Sequence, residues 1–306
     1  MLTEDSAYRV KRVRSDPKIG PFLQNPGTHF MTVAWIRGDD TVCSLALSGA
    51  GLPARTMDVH PAWAIEGSGD FFYRVRLDDL APGSRYEYRL HCPGGTFESF
   101  FNTLPESPEP IVFAGYGDNR AGARTHHRIA RSIARHQPAF VAHSGDMTGH
   151  GVYEEYRPYF FDPLGELIDH VPLLPCRGNH EGNGQAFRQV FDLPEGDPWY
   201  SCDCGPVHVV VLDTTGRRHA GEKDDVGRMV AWCDRDLAAS TAPWRIVVHH
   251  EPCYDLGHRK DDWGHEDFLP LLRRHGVDLM LSSHAHGYQR LHPMVTPGEN
   301  DDRPIV

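Results

Sequence analysis

The sequence predicts an α/β chain preceded by an all-β sandwich, dividing into residues 1–107 and 108–306. Three observations carry that prediction. The chain has 306 residues, enough for two domains at roughly 150 residues each. Residues 103–110 read Thr-Leu-Pro-Glu-Ser-Pro-Glu-Pro, and three prolines in eight residues make a stiff, extended connector. Before the connector, apolar residues alternate in short runs. After it, apolar runs take turns with stretches of helical period.

The elements follow in order. Residues 29–36, 42–47 and 71–77 alternate between turn residues, the pattern of a sandwich of about 100 residues. In 80–88, a tyrosine placed after Pro82-Gly83 can return its hydroxyl to the backbone as a tyrosine corner. After the connector, the apolar run 110–115 leads to Gly117-Asp118, and 125–137 reads as a helix. Residues 139–143 lead to Gly145-Asp146, and 153–170 reads as a helix. Residues 172–176 lead to Gly178-Asn179-His180-Glu181. Runs 207–212 and 245–248 read as strands around a helix at 224–240, and a helix at 266–275 precedes a strand at 277–281. Strands alternating with helices indicate an α/β layer architecture.

Composition narrows the function. Hydrophobic residues make up 40 % and charged residues 24 %, which excludes a disordered or collagen-like chain. No run approaches 18 apolar residues, so no membrane-spanning helix is expected. Thirty-one Lys and Arg stand against 42 Asp and Glu, a net charge of −11. That argues against nucleic acid or an anionic membrane as an electrostatic partner. The seven cysteines are odd in number and lack a Cys-x-x-Cys pair, so they read as reduced thiols. The first residues also lack the apolar core of a secretory signal. Both features predict a cytoplasmic protein, with secretion the alternative if the start is not native. Of 20 histidines, three precede residue 108 and seventeen follow it, so the chemistry is expected in the second part.

That part places metal-type ligands after five apolar runs: Asp118, Asp146, Asn179, His250 and the pair His284/His286. The carboxyl ends of strands in an α/β sheet line its ligand crevice, so segments distant in sequence can converge there. A single Gly-Asp after a strand is ordinarily a turn or helix cap. Five ligand clusters in order are hard to obtain from packing alone, because burying so many polar groups without a cation is costly.

The ordered set Gly117-Asp118, Gly145-Asp146, Gly178-Asn179-His180-Glu181, His250-Glu251-Pro252 and Ser283-His284-Ala285-His286-Gly287-Tyr288-Gln289-Arg290 resembles the calcineurin-like metallophosphoesterases. Within them it looks like the purple acid phosphatases, which carry an N-terminal fibronectin type III-like domain. Residues 20–104, with Trp35 and the tyrosine corner, resemble that domain. The resemblance implies a four-layer metallophosphoesterase sandwich and a dinuclear centre of iron, manganese or zinc. It implies that Asp146 bridges two ions, that Asp118 and His286 complete the first site, and that Asn179, His250 and His284 hold the second. It implies hydrolysis of a small phosphate ester, phosphomonoesters favoured, by metal-bound hydroxide. His180 would bind substrate and protonate the leaving group, His258 would supply a second imidazole, and Glu181 would orient a histidine from behind. A phosphodiesterase on the same centre is the near alternative. A binding or adhesion protein with a degenerate phosphatase domain is the distant one.

Two departures bear on the first site. The position three residues after Asp146, a tyrosine in purple acid phosphatases, is Gly149, so the protein should not be purple. The position two residues after Asp118, a histidine in many relatives, is Arg120. His150 is a candidate to fill in as a ligand, and Arg120 is a candidate to bind substrate phosphate. His126 and His127 are expected at the cleft rim, and His143 in the core. His249 should face away from His250 on its strand.

Overall fold

The computed structural model describes residues 17–106, 109–120, 122–215, 223–255, 264 and 268–291. Among the described residues, eight strands precede the connector: β1 (Ile19–Gln24), β2 (Met31–Arg37), β3 (Cys43–Gly49), β4 (Leu52–Val59), β5 (Pro61–Ile65), β6 (Asp70–Leu77), β7 (Arg85–Cys92) and β8 (Gly95–Asn102). They form one sheet ordered β4-β3-β7-β8 and the β5-β6-β2-β1 half of a larger one. The facing sides bury Leu23, Val33, Trp35, Leu45, Tyr73 and Leu90. Trp35 stacks on Tyr73 with ring centroids 5.3 Å apart. The Tyr86 hydroxyl accepts the Ala81 N–H at 2.7 Å, which closes the predicted tyrosine corner.

The reduced-thiol reading is corrected here, because Cys43 and Cys92 form a disulfide. β3 and β7 pair antiparallel with Ser44 opposite His91, which sets Cys43 opposite Cys92. Their Cα atoms are 4.5 Å apart, the close spacing of a non-hydrogen-bonded antiparallel pair. That register joins residues 49 apart in sequence and leaves no mark in cysteine spacing. The other five cysteines remain thiols.

After the connector, β9 (Phe113–Tyr116), β10 (Phe140–His143) and β11 (Leu173–Pro175) run parallel. They extend the first half-sheet into seven strands, ordered β5-β6-β2-β1-β11-β10-β9. The junction is a parallel pairing of Gln24 with Leu173. A second sheet, β12-β13-β14-β15, comprises β12 (Tyr200–Cys204), β13 (Val207–Val211), β14 (Trp244–Val248) and β15 (Leu279–Leu281). Val141 and Leu173 of one sheet share a core with Val209, Val211 and Val248 of the other. Helix α1 (Ala123–Ala134) joins this core through Ala130 and Ile133. On the far side of the second sheet, Val210 and Val247 meet Met229, Cys233 and Leu237 of one helix and Leu269 and Leu272 of another. The result is helix, sheet, sheet, helix, beside the β-sandwich.

The helix expected over 153–170 is interrupted. It is α2 (Tyr153–Glu155), a π-helical segment (Tyr156–Phe161) and α3 (Asp162–Leu164), ending at Gly165 with φ 51°. Pro158 and Pro163 lack the N–H that a regular helix needs. Pro163 is four residues beyond Tyr159, so the Tyr159 carbonyl has no helical donor. His126 Nδ1 and Asn119 Nδ2 donate to it at 2.9 and 3.2 Å. The break therefore supplies an acceptor to the turn that carries Asp118. The remaining helices among the described residues are α4 (Gln185–Val190), α5 (Lys223–Ala239) and α6 (Phe268–Arg274).

Candidate metal centre

Each candidate ligand lies just beyond a strand: Asp118 after β9, Asp146 after β10, Asn179 after β11, His250 after β14, and His284 and His286 after β15. The strand ends turn sharply. Asp118, Asp146, His284 and His286 have φ of 58°, 58°, 67° and 52°. Non-glycine residues avoid this region, and such strain persists where surrounding structure imposes it, typically at functional sites. Two glycines make the approach possible. Gly145 has φ 97°, and a Cβ on Gly178 would lie 2.2 Å from the Asp146 backbone nitrogen. This crowding explains why glycine precedes Asp146 and Asn179.

The side chains converge. One ligand atom each from Asp118, Asp146 and His250 lies within 4.8 Å of the others. His250 donates Nδ1–H to the Ser144 carbonyl at 2.8 Å, which fixes the ring and leaves Nε2 facing the crevice. That nitrogen is 3.0 Å from Asn179 Oδ1, 3.3 Å from Asp146 Oδ1 and 3.2 Å from His284 Nδ1. Burial lowers the His250 pKa to about 4, so the ring is neutral and Nε2 carries a lone pair. Burial, reinforced by the Asp146 charge, raises the Asp118 pKa. The Asp118 Oδ2 accepts the His284 N–H at 2.6 Å, while Asp118 Oδ1 and Asp146 Oδ2 are buried without a hydrogen-bond donor. Lone pairs facing one another around two such carboxylate oxygens are the signature of a cation site. His286 lies at the rim, its Nε2 3.5 Å from Asp118 Oδ1.

Other expected residues sort themselves by contact. His180 donates Nδ1–H to the Gly149 carbonyl at 2.7 Å and its backbone N–H to Asp146 Oδ1 at 2.9 Å. The Arg120 guanidinium reaches His180 Nε2 at 2.5 Å and His286 Nε2 at 2.6 Å, with Nε 3.8 Å from Asp146 Oδ2. Arg120 thus lies inside the site. His150 is not brought there: its side chain is 82 % exposed and its Nδ1 donates to Glu155 at 2.7 Å. Glu155 also accepts the Gly149 and His150 N–H groups, which turns that segment outward. His258 lies outside the described residues.

Glu181 corrects another expectation. Its carboxylate contacts backbone rather than a histidine. It accepts the N–H groups of Asp146, Met147, Thr148 and Gly178 at 2.7–3.1 Å. Burial, with the Asp146 charge, raises its pKa to about 7 against the pull of those donors. His126 is no rim residue either. It is buried between the Tyr116 hydroxyl and the Tyr159 carbonyl. His143 is a core residue, its Nε2 2.7 Å from Asn119 Oδ1. His249 faces away from the centre, onto Phe268.

Asn119 is a site residue that the sequence reading missed. Its amide donates to the Met147 and Tyr159 carbonyls and meets His143, pinning the turn between Asp118 and Arg120. The signal available was an amide between two charged residues directly after a strand.

Comparison with known proteins agrees with this geometry. The profile of the calcineurin-like phosphoesterases matches residues 90–288. Acid phosphatase type 7 of Danio rerio is 28 % identical over 90 % of this chain and 70 % of its own length. Purple acid phosphatase 23 of Arabidopsis thaliana is 26 % identical over 72 % of this chain and 57 % of its own. The structure of purple acid phosphatase PPD1 from yellow lupin superposes with a TM-score of 0.72 at 18 % identity, over 90 % of this chain. The chain spans 59 % of that lupin protein, so the likeness there is one of fold.

Proposed function

The chain belongs to the calcineurin-like phosphoesterase family, and on that premise we propose that it is a metal-dependent hydrolase of small phosphate esters, phosphomonoesters foremost. The observation that carries this reading is the convergence of Asp118, Asp146 and His250 around two carboxylate oxygens that lack donors. Asp146 would be shared by two ions. Asp118 and His286 would hold the first with it, and Asn179, His250 and His284 the second. The donors mix carboxylate, amide oxygen and imidazole, a set suited to manganese, iron or zinc. When bound, such ions offset phosphate charge and acidify a water.

The remaining steps belong to side chains. Asp146 and Asp118 bring the negative charge that draws the cations in. His180, fixed through Nδ1, presents Nε2 to the cleft; once Arg120 turns from it and Nε2 has taken a proton from solvent, it would donate that hydrogen to a phosphate oxygen and pass the proton to the leaving alkoxide. Arg120, beside it, offers a forked guanidinium to the phosphate. The Cys43–Cys92 disulfide supports residence in an oxidising compartment.

Elemental analysis and a chromogenic aryl phosphate test the reading together. After incubation with manganese, zinc or iron, about two ions per chain are expected with hydrolysis of the monoester. Asp146→Asn should lose both ions and at least about a hundredfold in kcat/KM. Full activity with ions retained in that variant would overturn the proposal. A higher kcat/KM on a bis-aryl diester reassigns the substrate class and leaves the centre intact.

A further inference from the structure

We propose that Arg120 is a built-in competitor of the first metal ion, so that the two positions fill in a fixed order and with unequal affinity. The inference rests on the metal-dependent reading above and goes beyond it.

The geometry separates the two halves of the centre. Around the second position, His250 Nε2, Asn179 Oδ1, His284 Nδ1 and Asp146 Oδ1 face one another. Around the first, the Arg120 Nη2 lies 2.6 Å from His286 Nε2. A guanidinium is an obligate donor, so this contact uses the nitrogen lone pair that a metal ion needs. The other arm is held by His180 Nε2 at 2.5 Å, and Nε faces Asp146 Oδ2 at 3.8 Å. One side chain therefore spans a ligand of the first position and the bridging carboxylate.

The backbone keeps it there. Arg120 has φ 26° and donates its N–H to the Asp146 carbonyl at 3.1 Å. Asn119, the preceding residue, is tied to the Met147 and Tyr159 carbonyls. The Cα thus stays in place while the long side chain is free to leave. The guanidinium also compensates the site incompletely, because Asp146 Oδ2 and Asp118 Oδ1 still lack donors. A compact cation satisfies both, so loading the first position displaces the guanidinium from His286 and from the charge of the incoming ion. The displaced side chain is then available to a substrate phosphate. Ion binding at the first position carries the cost of breaking the contact with His286, a ligand of that position alone, whereas at the second the guanidinium acts through the shared Asp146 carboxylate.

Calorimetric titration of the full chain with manganese, without substrate, reads this directly. The wild type should bind in two steps separated by at least about tenfold in Kd. Arg120→Ala should tighten the weaker step at least about tenfold and leave the stronger within about threefold, once a thermal melt shows it folded. Arg120→Gln, which keeps a polar side chain without the charge, serves as the second variant and should behave alike. His286→Ala should abolish the weaker step alone. Two equal steps in the wild type, or a weaker step that stays put or weakens in both Arg120 variants, would overturn the proposal. The phosphatase reading fails separately, if the fully loaded wild type leaves an aryl phosphate intact whatever the order of binding.

Discussion

Glu181 holds the floor of the metal crevice with two oxygens and four backbone donors. The N–H groups of Asp146, Met147, Thr148 and Gly178 would otherwise be buried without acceptors, since the strands on either side have ended. Their convergence fixes the left-handed turn that aims Asp146. Replacing Glu181 with Gln keeps the shape but puts an amide N–H₂ where an acceptor is required. Each buried group left unsatisfied costs about 1–3 kcal/mol. We expect Glu181→Gln to lower unfolding free energy by about that amount in a denaturant titration. The same variant should weaken metal binding about tenfold or more, because the bridging carboxylate loses its fixed direction. Normal ion affinity in a destabilised variant would separate the two effects and remove the orienting role. At this scale the sequence was informative about identity and less so about contact. The order of Asp118, Asp146, Asn179, His250, His284 and His286 along the chain is visible in a string of letters. That Glu181 holds amides, and that Glu155 draws His150 away, depends on backbone direction after the turns.

Secondary-structure elements are tied together by a charge cluster remote from the crevice. His208 on β13 donates to Asp203 on β12 at 2.7 Å and to Asp236 on α5 at 2.8 Å. Burial opposes its protonation, yet the two aspartates prevail and raise its pKa to about 9. The folded state therefore holds a proton more tightly than an unfolded chain, where histidine titrates near 6.5. This stabilisation is complete below about pH 6.5, declines as pH rises, and is gone once pH passes about 9. Melting temperatures from pH 6 to 10 should fall across that window, and His208→Asn should flatten the fall while costing about 1.5–3 kcal/mol at neutral pH. An unchanged slope in the variant would place the pH dependence elsewhere. Elements of this kind were unevenly legible. The runs that became β2, β6, β10 and β13 are short, strongly apolar and bounded by turn residues. β4 and β8 expose much of their length, so their alternation carries little apolar signal. The helix expected at 153–170 failed for a local reason, the two prolines that open its ladder, and that opening positions Asn119 and His126.

Across the whole molecule, the connector divides composition without dividing the structure. β1, in the N-terminal part, lies beside β11, so one seven-stranded sheet runs through both parts. β2 is buried at every residue, as a strand covered on both faces must be. One face of this sheet meets the sandwich core around Trp35, and the other places Phe22 against Phe161 and Phe191, at 4.9 and 6.4 Å. The Tyr88 hydroxyl donates to the Asp169 carbonyl at 2.6 Å, and the Trp63 indole N–H donates to the Gln189 carbonyl at 2.9 Å. Neither half could separate without opening this sheet and exposing a phenylalanine cluster. Two domains joined only by a linker would melt independently; these should melt as one. Calorimetry of the metal-loaded protein should give a single transition, with equal calorimetric and van't Hoff enthalpies. Phe22→Ala, in the N-terminal part, should cost about 3–5 kcal/mol through the cavity it leaves. Hydrogen exchange would then accelerate in β3 and β7 and equally in β10 and β14, although Phe22 belongs to none of them. Acceleration confined to the eight strands of the N-terminal part, or two resolved melting peaks, would show that the shared sheet does not couple the halves. Coupling of this kind makes the sandwich part of the frame that holds β11, and through it the turn from Cys176 to Glu181 that carries Asn179 and His180.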